Sequence, residues 1–226
     1  MLDWAIRYEP IVSFINKRKD TVRNVLEIGS GSYGLAHYLD HKKVIGVDLS
    51  FPSPVSPNIV PVTASAAKLP FVDNAFDIVV SSDMMEHLDE ATRKLAVQEL
   101  ARVASRYVII GFPCGDAGKK VDRKIEGVLR KKGIPLPTCL TEHFMYVYPR
   151  LDTVMDCFPT NLRVLKTLRN DNVCLHMAVI LAIMSRRYYK YTVFFDTISR
   201  VRKLSWMYNS FKTYRRIIFA EKKADR

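Results

Sequence analysis

Glu27-Ile28-Gly29-Ser30-Gly31-Ser32-Tyr33-Gly34 follows the apolar run Asn24-Val25-Leu26, and Asp48 stands 14 residues past the last of these glycines. An apolar strand runs into a glycine-rich turn and a helix, and a second strand, Val44-Ile45-Gly46-Val47-Asp48, ends in a carboxylate. That order builds a nucleotide pocket at the carboxyl ends of parallel strands. Gly29 and Gly31 let a ligand approach the main chain where a Cβ would collide with it. Asp48 can accept hydrogen bonds from both hydroxyls of a ribose.

The same glycine spacing holds a pyrophosphate in dinucleotide enzymes. Glu27, two residues before the first glycine, is poorly matched to that anion. It suits a ligand with positive charge, such as the ammonium and sulfonium of S-adenosylmethionine. The stretch Ala64-Ser65-Ala66-Ala67-Lys68-Leu69-Pro70-Phe71-Val72-Asp73-Asn74-Ala75-Phe76-Asp77-Ile78-Val79-Val80 favours the second ligand. It resembles the third and fourth motifs of the class I (Rossmann-like) S-adenosylmethionine-dependent methyltransferases, and within them the methyltransferase type 11 group. The resemblance spans about residues 20–184.

The resemblance implies a cofactor set. Gly29, Ser30 and Gly31 would lie under the methionine part, Glu27 would fix the amino group, and Asp48 would bind the ribose. Ser65 stands where the family often has an Asp for the adenine amino group. Adenine would then rest on the backbone near Ala66 and on Leu49 and Leu69. Ser82, just past the fourth strand, completes the set.

An alcohol acceptor would need a base. Asp83, Glu86 and His87 follow the fourth strand, and His143 lies in the insert after the fifth. His87 is the first expected base and His143 the second, with Asp83 beside them. The reading assigns no metal, but Asp83, Glu86, His87 and His143 form the set that would hold a divalent ion, in a pattern similar to that of some 2′-O- and ubiquinone-pathway methyltransferases. Ser81-Ser82-Asp83-Met84 replaces the N/D-P-P-Y/F tetrapeptide of amide and adenine methylation. Cys114 lacks a companion Pro-Cys and reads as structural.

These side chains need a frame. The length suits one well-buried α/β domain with some chain left over. The expected elements are a helix over residues 1–20, strands near 23–28, 43–48, 58–62, 77–81 and 107–111, and helices near 33–41, 91–104, 119–132 and 150–157. Leu95 is placed on the buried face of the 91–104 helix. The last two strands are expected at 162–168 and 172–184, joined by a turn at 169–172. The expected fold is a three-layer α/β sandwich with a seven-stranded, mostly parallel sheet whose last strand is antiparallel. Residues 1–184 would be the methyltransferase domain, with an insert at 115–158. Residues 185–226 would be a basic, aromatic helical extension.

The formal net charge is +12, and residues 185–226 hold 12 Lys and Arg against 3 Asp and Glu. Tyr188, Phe194, Trp206 and Phe211 sit among these cations. Such a tail could pack on the domain, lie on an anionic membrane or track RNA. The N-terminus has no signal-peptide pattern, and the apolar run Val173–Met184 is too short to span a bilayer, which takes about 20 residues. Four cysteines without C-x-x-C spacing read as reduced thiols. The expectation is a cytoplasmic enzyme with the option of peripheral contact at the inner face of the membrane. Its acceptor would be a small molecule, a saccharide or a lipid-linked group. An RNA methyltransferase and a non-catalytic cofactor-binding scaffold remain as alternatives.

Overall fold

A computed structural model describes residues 2–39, 43–184 and 197–223. Seven strands form one sheet: β1 (Val25–Ile28), β2 (Val44–Asp48), β3 (Ile59–Thr63), β4 (Phe76–Ser82), β5 (Ala104–Pro113), β6 (Leu162–Asn172) and β7 (Thr213–Lys222), in the order β3-β2-β1-β4-β5-β7-β6. Neighbours from β3 to β5 pair in parallel, and β7 runs antiparallel to both β5 and β6. The expected sheet is therefore present.

Alternating side chains divide the core. Leu26, Val79, Val108, Ile110 and Ile218 face helices α2 (Glu90–Val103) and α5 (Leu151–Met155). Ile78, Val80, Ile109, Ile217 and Phe219 face helix α1 (Leu2–Asn16) and the short 3-10 helix Leu35–Tyr38. Sheets covered on both faces carry near-continuous apolar strands, as here. Each buried isoleucine contributes roughly 1.5–3 kcal/mol relative to exposure. Asp89 starts α2 by accepting the Thr92 N–H at 2.8 Å. Leu95 is exposed, so the buried face of α2 runs through Ala96, Val97, Leu100 and Ala101 instead.

Two expectations fail at the chain's end. Residues 173–184 form a helix, α6 (Val173–Met184), not a strand. β6 continues through the expected turn to Asn172, whose Oδ1 accepts the N–H of Cys174 at 2.9 Å and caps α6. A short apolar run has no periodicity that separates helix from strand, and twelve residues is long for a strand.

The seventh strand comes from the supposed extension. β7 inserts between β5 and β6, with Ile217 opposite Gly111 on one side and Leu168 on the other. A domain boundary at 184 would cut through the sheet. Two charges hid this strand in the sequence. Arg215 is buried by pairing, and Lys222 donates to the carbonyls of Ala101 and Ala104 at 3.0 and 2.9 Å. Helices do occur at Ile198–Lys203 and Ser205–Tyr208, and Val201 and Tyr208 pack on Ala5 and Ile6 of α1. Tyr188 and Phe194 lie outside the described residues. Among the described residues, no helix is long and apolar enough to cross a membrane.

Candidate active site

The glycine turn is tied to the end of β2. The N–H groups of Gly29 and Ser30 donate to the Val47 carbonyl at 2.8 and 3.3 Å. Gly31 N–H donates to Asp48 Oδ2 at 2.8 Å, and Leu49 N–H to Asp48 Oδ1 at 2.7 Å. The acid is thereby fixed at the strand tip, with its remaining lone pairs available to hydroxyl donors. Gly29 has φ +75° and packs so closely on Met84 that a Cβ would collide with it. Gly31 has φ +54°, and a Cβ there would meet no protein atom within 4 Å. The first glycine serves packing; the second faces open space.

Glu27 is fully buried. Its Oε1 accepts from Tyr8 Oη at 2.7 Å and its Oε2 from Leu35 N–H at 2.6 Å. Gly34 is required beside it, because a Cβ there would overlap Glu27 Oε2. Burial pushes the Glu27 carboxyl up to about 7, against the opposing hydrogen bonds. A buried acid of this kind is matched to a cationic group, not to a pyrophosphate. Ser82 Oγ is buried without a hydrogen-bond partner among the described residues. The open space at Gly31, the fixed Asp48 and the buried Glu27 fit S-adenosylmethionine.

The adenine end is less defined. Leu49 is 74% exposed, and Ser65 is exposed with its Oγ accepting from Ala67 N–H at 3.2 Å. Ala66 is half-buried, while Leu69 is buried in the core and offers no face to a ligand.

The second half of the site lies beyond β4. Here His143 and His87 stand edge to face, with ring centroids 4.8 Å apart. Asp122, on helix α3 (Gly115–Lys131), accepts from His143 Nδ1 at 2.8 Å. It also accepts from the Tyr214 hydroxyl at 3.1 Å and from the Tyr148 hydroxyl. This buried carboxylate fixes the His143 ring and leaves Nε2 as the acceptor nitrogen. His87 Nδ1 is 3.0 Å from Glu142 Oε2, and burial together with His143 holds its imidazole below the ordinary value. Glu86 is buried, and neither carboxyl oxygen has a hydrogen-bond partner among the described residues. Burial, then the charge of Asp83, pushes its carboxyl well above the usual range.

Asp83 has a structural role instead of the expected catalytic one. Arg215 binds it with two N–H groups, both at 2.6 Å, and Arg7 Nε lies 3.2 Å away. A carboxylate held bidentately, with its acidity increased by Arg215 and Arg7 despite burial, is a poor base and a poor metal ligand. Ligand atoms of Glu86, His87 and His143 do lie within 4.8 Å of one another, so three of the four expected metal ligands converge. Behind Asp83, His176 sits 2.6 Å from Asp171 and 3.4 Å from Asp3. Burial alone would lower its pKa, but these carboxylates raise it to about 10. Arg7, Arg215 and charged His176 are thus matched against Asp3, Asp83 and Asp171.

Sequence reasoning missed Asp122, Tyr214 and Arg215. A signal for Asp122 existed: it shares the buried face of α3 with Ile125 and Leu129, at helical spacing. Cys114 is half-buried, and burial raises its thiol pKa, as suits a structural residue.

An open α/β sheet with a glycine turn and an acid at neighbouring strand tips defines a Rossmann-like nucleotide-site protein. Residues 26–110 match the family model described as a methyltransferase domain. A candidate sarcosine dimethylglycine methyltransferase from Galdieria sulphuraria is similar at TM-score 0.57 and 16% identity, over 96% of this chain and 86% of that one. Magnesium protoporphyrin IX methyltransferase from Synechocystis PCC 6803, with bound S-adenosylhomocysteine, is similar at 0.54 and 16%, over 95% and 81%. The PH0226 protein from Pyrococcus horikoshii OT3 is similar at 0.53 and 17%, over 96% and 90%. No curated protein matches in sequence. The match over residues 26–110 and the likeness in fold over nearly the whole chain agree with the resemblance to the class I S-adenosylmethionine-dependent methyltransferases.

Proposed function

We propose that the enzyme methylates an oxygen atom of a small or lipid-linked acceptor, with His143 as the general base. The Asp122–His143 pair at 2.8 Å carries this reading. S-adenosylmethionine, when bound, supplies a methyl carbon on a sulfonium leaving group. Glu27 and Asp48 hold the two ends of the binding loop. His143 Nε2 takes the acceptor's hydroxyl proton as the oxygen attacks, and Asp122 stabilises the resulting imidazolium. Positioning does the remaining work. A positioned base is worth about 10²–10⁴ in rate.

The test is transfer of labelled methyl from S-adenosylmethionine into small-molecule and lipid extracts, followed by analysis of the product bond. An alkali-stable ether absent with His143→Ala supports the reading. A methylated amine or thiol, or equal turnover by the variant, removes it.

Contact with an anionic membrane is favoured by one observation. Trp206 is 74% and Phe211 85% exposed, beside the exposed cations Arg202 and Lys203. Interfacial aromatics next to basic residues bind such surfaces. Truncation at 185 would delete β7, so the test uses point changes. Wild type should sediment with phosphatidylglycerol vesicles, and Trp206→Ser/Phe211→Ser should not. Equal sedimentation removes the idea.

A further inference from the structure

Between β4, α3, α6 and helix α4 (Thr138–Glu142) lies a cavity of about 260 Å³. Its two ends differ in chemistry. One end holds Glu86, His87 and His143. The other is walled by Ile125, Leu129, Leu140 and Ile180, from α3, α4 and α6. Arg7, Arg215 and His176 also reach the cavity, but each is paired with Asp3, Asp83 or Asp171. They offer no free cation to an anionic ligand.

The reactive end is incomplete. Glu86 Oε1 lies 3.8 Å from His143 Nε2, too far for a direct hydrogen bond. Both Glu86 oxygens are buried without partners among the described residues. One hydroxyl placed between Glu86 and His143 lies within hydrogen-bond reach of both and donates to His143 Nε2. That arrangement satisfies an orphaned buried group, whose desolvation otherwise costs about 1–3 kcal/mol. It also sets the hydroxyl proton on the base.

We infer that the acceptor is a hydroxyl-bearing amphiphile, with its hydroxyl between Glu86 and His143 and its apolar body between α3, α4 and α6. This rests on the oxygen-methylation reading and names its substrate class. A sugar ring in the same place would press several hydroxyls against Ile125, Leu129, Leu140 and Ile180. Each unpaired buried hydroxyl costs about 1–3 kcal/mol, so the penalty for a sugar is several kcal/mol. An apolar body instead gains roughly 25 cal/mol for each Å² it buries. A cavity of about 260 Å³ suits the hydroxylated ring or head of an amphiphile.

The probe is 1-naphthol, titrated by fluorescence into the full chain loaded with S-adenosylhomocysteine. Methyl glucoside and naphthalene serve as competitors. Saturable binding of one 1-naphthol per chain is expected, with naphthalene competing more weakly and methyl glucoside not at all. Ile180→Trp fills the apolar end and should weaken 1-naphthol binding tenfold or more, leaving S-adenosylhomocysteine binding unchanged. Should that variant unfold by circular dichroism, Met184→Trp on the same wall replaces it, with the same expected result. No saturable 1-naphthol binding, equal binding by the folded variant, or effective competition by methyl glucoside overturns the inference while the methyltransferase reading stands. Failure of wild type to bind S-adenosylhomocysteine takes down both.

Discussion

Asp122 Oδ2 lies 2.8 Å from His143 Nδ1, across 21 residues of chain, and Tyr214 of β7 donates to the same carboxylate. The ring of His143 is therefore oriented by α3 and by the strand inserted beside β5. A histidine held this way has one nitrogen committed and the other presented to the cavity.

Replacing Asp122 should act through His143. Asp122→Asn keeps the shape but offers an amide that can hold the wrong tautomer. Turnover should fall roughly 10²-fold or more while S-adenosylhomocysteine affinity stays within about twofold. A fall in cofactor affinity instead, with turnover unchanged at saturating cofactor, would reduce Asp122 to a structural role.

The Asp83–Arg215 pair holds β4 to β7. Arg215 is 1% exposed, so removing Asp83 leaves this buried cation only its longer contacts to Asp171 and Asp3, at 3.5 and 3.9 Å. Asp83→Ala should cost about 3–5 kcal/mol in urea unfolding. The double change Asp83→Leu/Arg215→Met should recover much of that loss. Equal destabilisation by the single and double variants would show that the pair is not the stabilising unit.

Glu27 links cofactor binding to pH. Its folded value of about 7 lies above the ordinary carboxyl value, so the free protein holds this proton more tightly than the unfolded chain. The resulting stability is full below about 4.5 and is lost as pH rises through about 7. The cofactor's ammonium favours the ionised form. Binding of S-adenosylhomocysteine should release a proton at pH 6 and almost none at pH 8.5, by calorimetry in buffers of different ionisation enthalpy. Glu27→Gln should abolish the release. Unchanged proton release in that variant would assign it elsewhere.

Glu86, His87 and His143 also permit a metal-assisted route. The base mechanism predicts turnover indifferent to a chelator. Activity lost to chelation and restored by Mg²⁺ or Mn²⁺ would transfer the proton-lowering role to an ion.

The first five strands were legible because each is an apolar run between turn signals, and the glycine turn fixes where the pocket opens. Glu27, Gly31 and Asp48 follow from chemistry carried within short segments. Asp122 was hidden because it stands between Lys119-Lys120 and Arg123-Lys124, a stretch that reads as a solvated face. Only the apolar stripe Ile125–Leu129 shows that one side of that helix is buried. β7 was hidden for a related reason. Arg215 and Arg216 look like a soluble tail until Asp83, 132 residues away, is seen to neutralise the first of them. Partners this distant leave no local mark, and the same long separation turned Asp83 from an expected base into an anchor.

Calorimetric titration of S-adenosylhomocysteine into wild type and Asp48→Ala tests the central claim most directly. Wild type should bind one equivalent with saturable heat, and the variant should lose at least tenfold in affinity while unfolding at a similar urea concentration. No heat with wild type, or equal affinity in the two proteins, would contradict the assignment of this glycine turn and strand tip to the sulfonium cofactor.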